Sequence, residues 1–389
     1  MAAEDVVVVE ACRSAIGKRK GTLAGVEAPD LLGDVLLGLF ERSGLDPRQV
    51  GQVVGACVNQ VGQQSGNITR NAWLGAGLPV EVPASTAHAQ CGSSQQATTL
   101  AHGLVAGGIV DVAVVAGVES MDQVPINAST DPTYGTGRNA RYREHWEVTT
   151  QFEGAERIAK QWGLTREDLD AYALRAQQRA AESVADGRFV DQIVPIEVAD
   201  GEGGTTVFAM DEALRATTAE GLAKLKPNLP DRAGGGKHTA ATSSQISDGA
   251  SALLLMTERK ASALGLTPRA RLVGSALVGS DPVLMLTGPI PATEKVLADT
   301  GLKIDDIDVF EVNEAFAAVV LAWQKEFGVD GDKVNIDGGA IPFGHPLGAS
   351  GGILLTRALN QLERTGGRYG LVSMCCGGGL GTATVLERL

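Results

Sequence analysis

The chain has no excess of basic residues: 33 Lys and Arg stand against 46 Asp and Glu, a formal net charge of −13. That disfavours a nucleic-acid partner, which needs a basic face. A small anionic ligand stays admissible if local cations or helix N-termini meet it. No apolar run nears the ~20 residues of a membrane span. The acidic start MAAEDVVVVE turns straight into a strand-like run and does not read as a signal peptide. Five cysteines are an odd number in a chain this long. They imply no disulfide framework and fit a reducing cytoplasm. Cys375 and Cys376 are adjacent rather than spaced C-x-x-C, so zinc and thioredoxin chemistry find no support. The 50 glycines follow no G-X-Y period, which removes a collagen-like reading. After the first strand stands Arg13-Ser-Ala-Ile-Gly-Lys, not G-x-G-x-x-G, so a dinucleotide-binding oxidoreductase is also disfavoured.

What is present is a 389-residue chain with ample hydrophobic content, enough for two or three structural units. Val6–Val9 and Val112–Ala116 read as buried strands, and Asp30–Ser43 has helical spacing of apolar residues. Residues 120–247 differ in texture. They carry polar loops at 127–147, 199–204 and 231–238 and two amphipathic helices, at 153–162 and 166–186. The second opens with Thr165-Arg-Glu-Asp, a capping-box pattern. This stretch reads as an insertion. The last 120 residues echo the first 120. Gly44-Leu-Asp-Pro-Arg-Gln-Val aligns without gaps on Gly301-Leu-Lys-Ile-Asp-Asp-Ile, and the run from Gly107 resembles that from Gly366. A duplicated α/β half follows.

Three loops carry the reactive groups. Asn335–Ser350 sets His345 among glycines, a composition that cannot form a regular helix or strand interior without cost. A helix is expected from Ile353, its dipole directed at this loop. Cys91, in Ala89-Gln-Cys-Gly-Ser-Ser-Gln, sits where a strand gives way to a helix, a position that favours thiolate. Cys375 precedes Gly377-Gly378-Gly379, whose N–H groups can form an oxyanion hole. Neighbours in a strand face opposite ways, so only one of Cys375 and Cys376 can face the site. Asn313 and Glu314 end a strand, where open α/β sheets place ligands. Two thiols and one imidazole suit covalent acyl transfer with proton exchange at carbon.

Taken together, these segments resemble the thiolase family over essentially the whole chain. The carriers are the segments around Cys12, Cys91, Asn313, His345 and Cys375. The resemblance implies a five-layered αβαβα sandwich of two similar halves, 1–119 with 248–268 and 269–389, and a loop domain at 120–247 that covers coenzyme A. It implies an acyl-CoA C-acyltransferase that cleaves a 3-ketoacyl-CoA with CoA or runs the reverse Claisen condensation. Cys91 is then the acylated nucleophile, His345 its base, Cys375 the second acid/base, and Asn313 the holder of an oxyanion-hole water. The N–H groups of Cys91 and of Gly377 or Gly378 form the other hole. Ser244, Arg215 and Phe316 match CoA-contacting positions. CoA is a substrate, no metal or redox cofactor is implied, and the family forms dimers or tetramers.

Several positions depart from the family pattern: Gln95 and Gln96, Pro342 and Phe343, Cys376, and Thr150-Gln151-Phe152. All are expected to reshape the acyl pocket rather than remove a catalytic group. They fit a bulky or longer acyl chain, with a short-chain acetoacetyl-CoA enzyme and a non-catalytic CoA-binding relative as alternatives. A ketoacyl synthase on the same fold would carry a second histidine where Cys375 stands.

Overall fold

The computed structural model describes residues 5–130, 132–201, 203–229 and 236–389. Parts of the three predicted polar loops, at 131, 202 and 231–235, lie outside the described residues. Runs of apolar and β-branched residues form nine main strands: Val6–Ser14 (β1), Gln52–Ala56 (β2), Ala84–Ala87 (β3), Val112–Ser120 (β4), Ser247–Thr257 (β5), Ala270–Gly279 (β6), Val309–Val312 (β7), Tyr369–Cys376 (β8) and Leu380–Arg388 (β9). They join in the order β7-β8-β9-β6-β1-β5-β4-β2-β3. The halves meet where β1 lies antiparallel to β6, at Val7↔Arg271 and Val8↔Ala270.

Outward from that seam the same pattern runs twice. β1 and β6 pair antiparallel with β5 and β9. Those pair antiparallel with β4 and β8. These in turn pair parallel with β2 and β7. β3 adds a parallel edge to β2, and its counterpart beside β7 is reduced to one parallel bridge, Phe310↔Val334. The repeat seen in the sequence is therefore a repeat of topology.

Two helices, Ser93–Ala106 and Ser350–Thr365, pack on each other and touch strands of both halves. Strand side chains alternate between this helix pair and the outside. Val6, Val8 and Ala11 cluster with Ala97, Ala101, Leu354 and Leu355, while Val7 and Val9 cluster with Leu31, Leu32 and Val35 of the Ala28–Ser43 helix. In the second half Phe310 and Val312 face Val296 and Trp323 of the outer helices Pro289–Thr300 and Ala317–Phe327. The result is the five-layered helix–sheet–helix–sheet–helix order.

The Ser350–Thr365 helix starts earlier than expected and takes Gly351 and Gly352 into its first turn. A side chain at Gly351 would strike the Gln95 backbone, and one at Gly352 would strike Ser251. Close approach of the other helix at Gln95 and of β5 at Ser251 is what offsets the ~1 kcal/mol cost of each helical glycine. The glycine-rich loop also holds a short helical turn, Ala340–Phe343.

Residues 120–247 contain the expected helices, Gln151–Gln161 and Arg166–Ala185, both opened by capping boxes. The region is tied into the core as well. Ile193–Val194 runs parallel beside Arg13 and Ser14. Asp211 takes a bidentate pair from buried Arg13 at 2.7 and 2.9 Å. Among the described residues no helix is long and apolar enough to cross a membrane.

Candidate active site

β3 ends at Ala87, and the chain turns through Gln90, at φ 54°, into the Ser93–Ala106 helix. A non-glycine residue with positive φ marks a backbone held by its surroundings. Here Ser93 Oγ holds it, donating to Gln90 O and accepting from Ala89 N. Gly92 admits no side chain: a Cβ would lie 2.6 Å from Cys376 Sγ. Cys91 is half-buried, collared by Val58, Met121 and Leu347 with Ile126 and Ile246. Desolvation pushes its thiol up to about 11, against the N–H groups of Gly377 and of Cys91 itself; the Glu119 charge adds to the rise. The helix N-terminus therefore does not produce a resting thiolate, as the sequence suggested. Burial wins, and the thiol needs a base.

His345 is buried, and desolvation lowers its imidazole to about 4. It is neutral across the physiological range. Ser350 Oγ donates to Pro346 O at 2.8 Å and so accepts from His345 Nδ1–H at 2.6 Å. That network assigns the tautomer and leaves Nε2 without a proton. Asn313 Nδ2 donates to it at 3.3 Å. The His345 backbone N donates to Ser247 Oγ at 2.8 Å, which fixes the ring's root.

Two buried carboxylates grip the loop on either side of His345. Glu314 accepts from Ile341 N at 2.9 Å, Asn335 Nδ2 at 3.0 Å and Tyr172 OH at 2.6 Å. Burial raises its carboxyl above the usual range. Glu119, at the end of β4, accepts from Gly348 N, Val58 N, Asn59 N and Nδ2, and Gln64 Nε2 at 2.9–3.2 Å. These contacts were not anticipated. The available signal was an acid closing an otherwise apolar strand, Val112-Ala-Val-Val-Ala-Gly-Val-Glu-Ser.

Cys375 and Cys376 point to opposite faces of β8. Cys375 joins the cluster that contains Met285, Ala315 and Phe316. Cys376 joins the central cluster, against Gly92. Desolvation raises both thiols, and the charge of Cys91 raises each further. Cys375 is thus on the Phe316 side, while Cys376 backs the nucleophile turn. Gly377 N–H reaches Cys91. Gly378 is exposed with open space above its Cα, at φ 82°, and serves the turn.

Arg215 lines a small cleft, while Ser244 and Phe316 sit together on neighbouring segments outside its lining. Ser244 N donates to Ala315 O at 3.0 Å, and Ser243 bridges Phe316. Arg215 donates to Gln245 Oε1 at 2.6 Å. Ala173, Gln177, Gln245 and Ile341 also line the Arg215 cleft. Phe316 is buried edge-on between Phe152 and His238.

The expected reshaping of the acyl pocket fails at two positions. Gln95 is turned into the core, bonded to Val372 O, Thr384 and Thr382. Phe343 is fully buried beneath Arg357, 4.5 Å from its ring centroid. Both pack; neither faces Cys91's collar.

Two family models match: "Thiolase, N-terminal domain" over residues 6–259 and "Thiolase, C-terminal domain" over 266–388. The chain is 45% identical to steroid 3-ketoacyl-CoA thiolase FadA6 of Mycobacterium tuberculosis, over 99% of this chain and 94% of that one. It is 40% identical to a beta-ketoadipyl-CoA thiolase of Acinetobacter baylyi, over 98% and 99%. The structure of human mitochondrial 3-ketoacyl-CoA thiolase superposes with TM-score 0.91 at 32% identity, over 100% of both chains. With both family models filling the chain and relatives this similar along its whole length, the chain belongs to the thiolase family.

Proposed function

We propose that this chain is an acyl-CoA C-acyltransferase that cleaves a 3-ketoacyl-CoA with CoA, or runs the reverse Claisen condensation, through an acyl-Cys91 intermediate. The observation that carries the reading is a neutral, buried His345 with an unprotonated Nε2, on a loop matched by pseudo-symmetry to the loop of a protonated Cys91.

In this reading Cys91 sulfur attacks the 3-keto carbon as its proton passes to His345. The C2–C3 bond then breaks, and the two-carbon CoA fragment takes a proton from Cys375. Cys375 next removes the proton of an incoming CoA thiol, which attacks the acyl-Cys91 carbonyl and releases the shortened acyl-CoA. The thiol at about 11 and the imidazole at about 4 set a constraint. Burial thus disfavours a resting thiolate–imidazolium pair, and in this reading proton transfer accompanies carbon–sulfur bond formation. The N–H groups of Cys91 and Gly377 stabilise one oxyanion, and His345 with a water held by Asn313 stabilises the other.

Arg215, Ser244 and Phe316 contact CoA in this reading, under residues 120–247. CoA is a substrate, and the reaction as written needs no metal or redox cofactor. Thiolysis is the default direction. A homodimeric or homotetrameric assembly in the cytoplasm accompanies this reading as a proposal.

The test is steady-state thiolysis of acetoacetyl-CoA, a medium-chain 3-ketoacyl-CoA and a bulky cyclic one, beside Cys91→Ala. Wild type is expected to cleave at least one, with an acyl adduct on Cys91 by mass spectrometry. The variant should lose at least ~10⁴-fold in kcat. Binding of CoA without cleavage of any probe would sink the proposal.

A further inference from the structure

The reaction as written leaves one buried charge cluster unused. Arg357, on the enclosed Ser350–Thr365 helix, is buried. Its Nη1 donates to Gly338 O at 3.1 Å, and its guanidinium lies 4.5 Å from the Phe343 ring centroid. Both contacts are on the base loop. Gly338 opens the glycine run, and Phe343 stands two residues before His345. Phe343 also meets Phe189 edge-on at 5.1 Å, and Arg357 lies over that second ring at 5.2 Å.

The charge that meets Arg357 comes from another part of the chain. Asp211 Oδ2 lies 3.9 Å from its Nη2. The same carboxylate takes the Arg13 fork and accepts from Ile16 N at 2.7 Å. Asp211 and Phe189 both belong to residues 120–247. Burial and then Arg13 work against the Arg357 cation, while Asp211, Glu311 and Asp337 favour it. Buried ion pairs of this kind add little stability over a hydrophobic side chain of similar volume. What a guanidinium adds is direction. Its flat fork meets a carbonyl, a carboxylate and an aromatic face at once.

We infer that Arg357 is a positioning residue for thiolysis: by tying Gly338 and Phe343 of the base loop to Asp211 and Phe189, it sets where His345 Nε2 stands. It acts through His345 and does none of the chemistry itself. The inference rests on the thiolytic reading above. Glu314 holds the same loop at Ile341 N, and Gln245 Nε2 donates to Ile341 O and Pro342 O at 3.1 and 3.0 Å. Loss of Arg357 therefore loosens the base rather than releasing it.

The test is a double-mutant cycle on the full chain, with a 3-ketoacyl-CoA that the wild type cleaves. Arg357→Met is expected to lower kcat by about 10–100-fold when His345 is present. In a His345→Ala background the same change should cost less than about threefold. Alkylation of Cys91 by iodoacetamide gives a second readout, which Arg357→Met should slow only while His345 is there to take the proton. Rates are referred to the folded fraction from melting curves. A defect of structure alone would cost the same factor in both backgrounds. Should Arg357→Met not fold, Phe343→Leu, which leaves every charge in place, decides by the same two comparisons. Equal factors in the two backgrounds, or an unchanged kcat, overturn the inference while thiolysis stands. A wild type that cleaves no 3-ketoacyl-CoA overturns the thiolytic reading, and this inference with it.

Discussion

The nucleophile loop and the base loop hold matching places in the two halves, and they are gripped by different chemistry. Each follows the outermost strand position of its half, and each feeds one of the two enclosed helices. The first is short. Cys91 stands two residues before Ser93, and the turn rests on a sulfur, Cys376, at the end of β8. The second is long. It runs from Val334 to Ser350 and is gripped by carboxylates at Ile341 and Gly348. β4 and β8 are counterparts, so Glu119 and Cys376 end equivalent strands beside the two loops. Glu119 holds the base loop through Gly348 N. A second anion at position 376 would raise the Cys91 thiol further, as Glu119 already does. A neutral side chain there is what the chemistry tolerates.

The comparison can be broken most severely at its base. His345→Ala should lower kcat by ~10²–10⁴-fold, the range for a lost general base. In the wild type, kcat/KM between pH 5 and 8 should show no break near 6.5, because the ring titrates at about 4. The base acts when neutral, so activity falls only as pH drops through that value. The sign for stability agrees. A depressed folded value contributes fully above 6.5 and is lost as pH falls toward 4, roughly 3 kcal/mol in all. A stopped-time pH profile with a break near 6.5 would contradict the buried, neutral ring.

A milder test separates positioning from charge. Glu119→Gln keeps the shape and removes the anion that accepts from five N–H donors. At ~1.5–3 kcal/mol for a hydrogen bond to a charged group, kcat should fall by about 10–100-fold. KM for CoA should hold steady, since the residues proposed to take CoA lie on other elements. Equal loss in kcat and CoA affinity would mean a general collapse instead. The smallest effect is expected at Gly92→Ala, where the new methyl meets Cys376 Sγ and overpacking costs ~1–3 kcal/mol. Adding Cys376→Ala should restore most of that loss in thermal melting. A double variant no better than the single would show that Thr382, the other neighbour, sets the limit.

Much of this site was legible in the residues. Glycine crowding around His345, the strand-to-helix position of Cys91 and the echo between Gly44 and Gly301 each follow from local composition, and the structure repeats them as loops and topology. What stayed hidden depends on contacts between distant segments. Glu119 reads as an odd acid in an apolar strand until Gly348, 229 residues on, donates to it. Gly351 and Gly352 read as loop because their reason to be helical is Gln95 and Ser251 on other elements. The Cys91 proton state was misjudged for the same reason. A helix N-terminus is local and visible, whereas the apolar collar that outweighs it comes from four separate segments.

The enclosed helix pair has a consequence for how this enzyme fails. Both reactive loops are rooted in helices covered by a sheet on each side, so their amide hydrogens can exchange with solvent only when the outer layers come apart. Heat or denaturant should therefore erase catalytic turnover and tertiary structure together rather than in sequence. Residual activity would then serve as a direct gauge of the folded fraction.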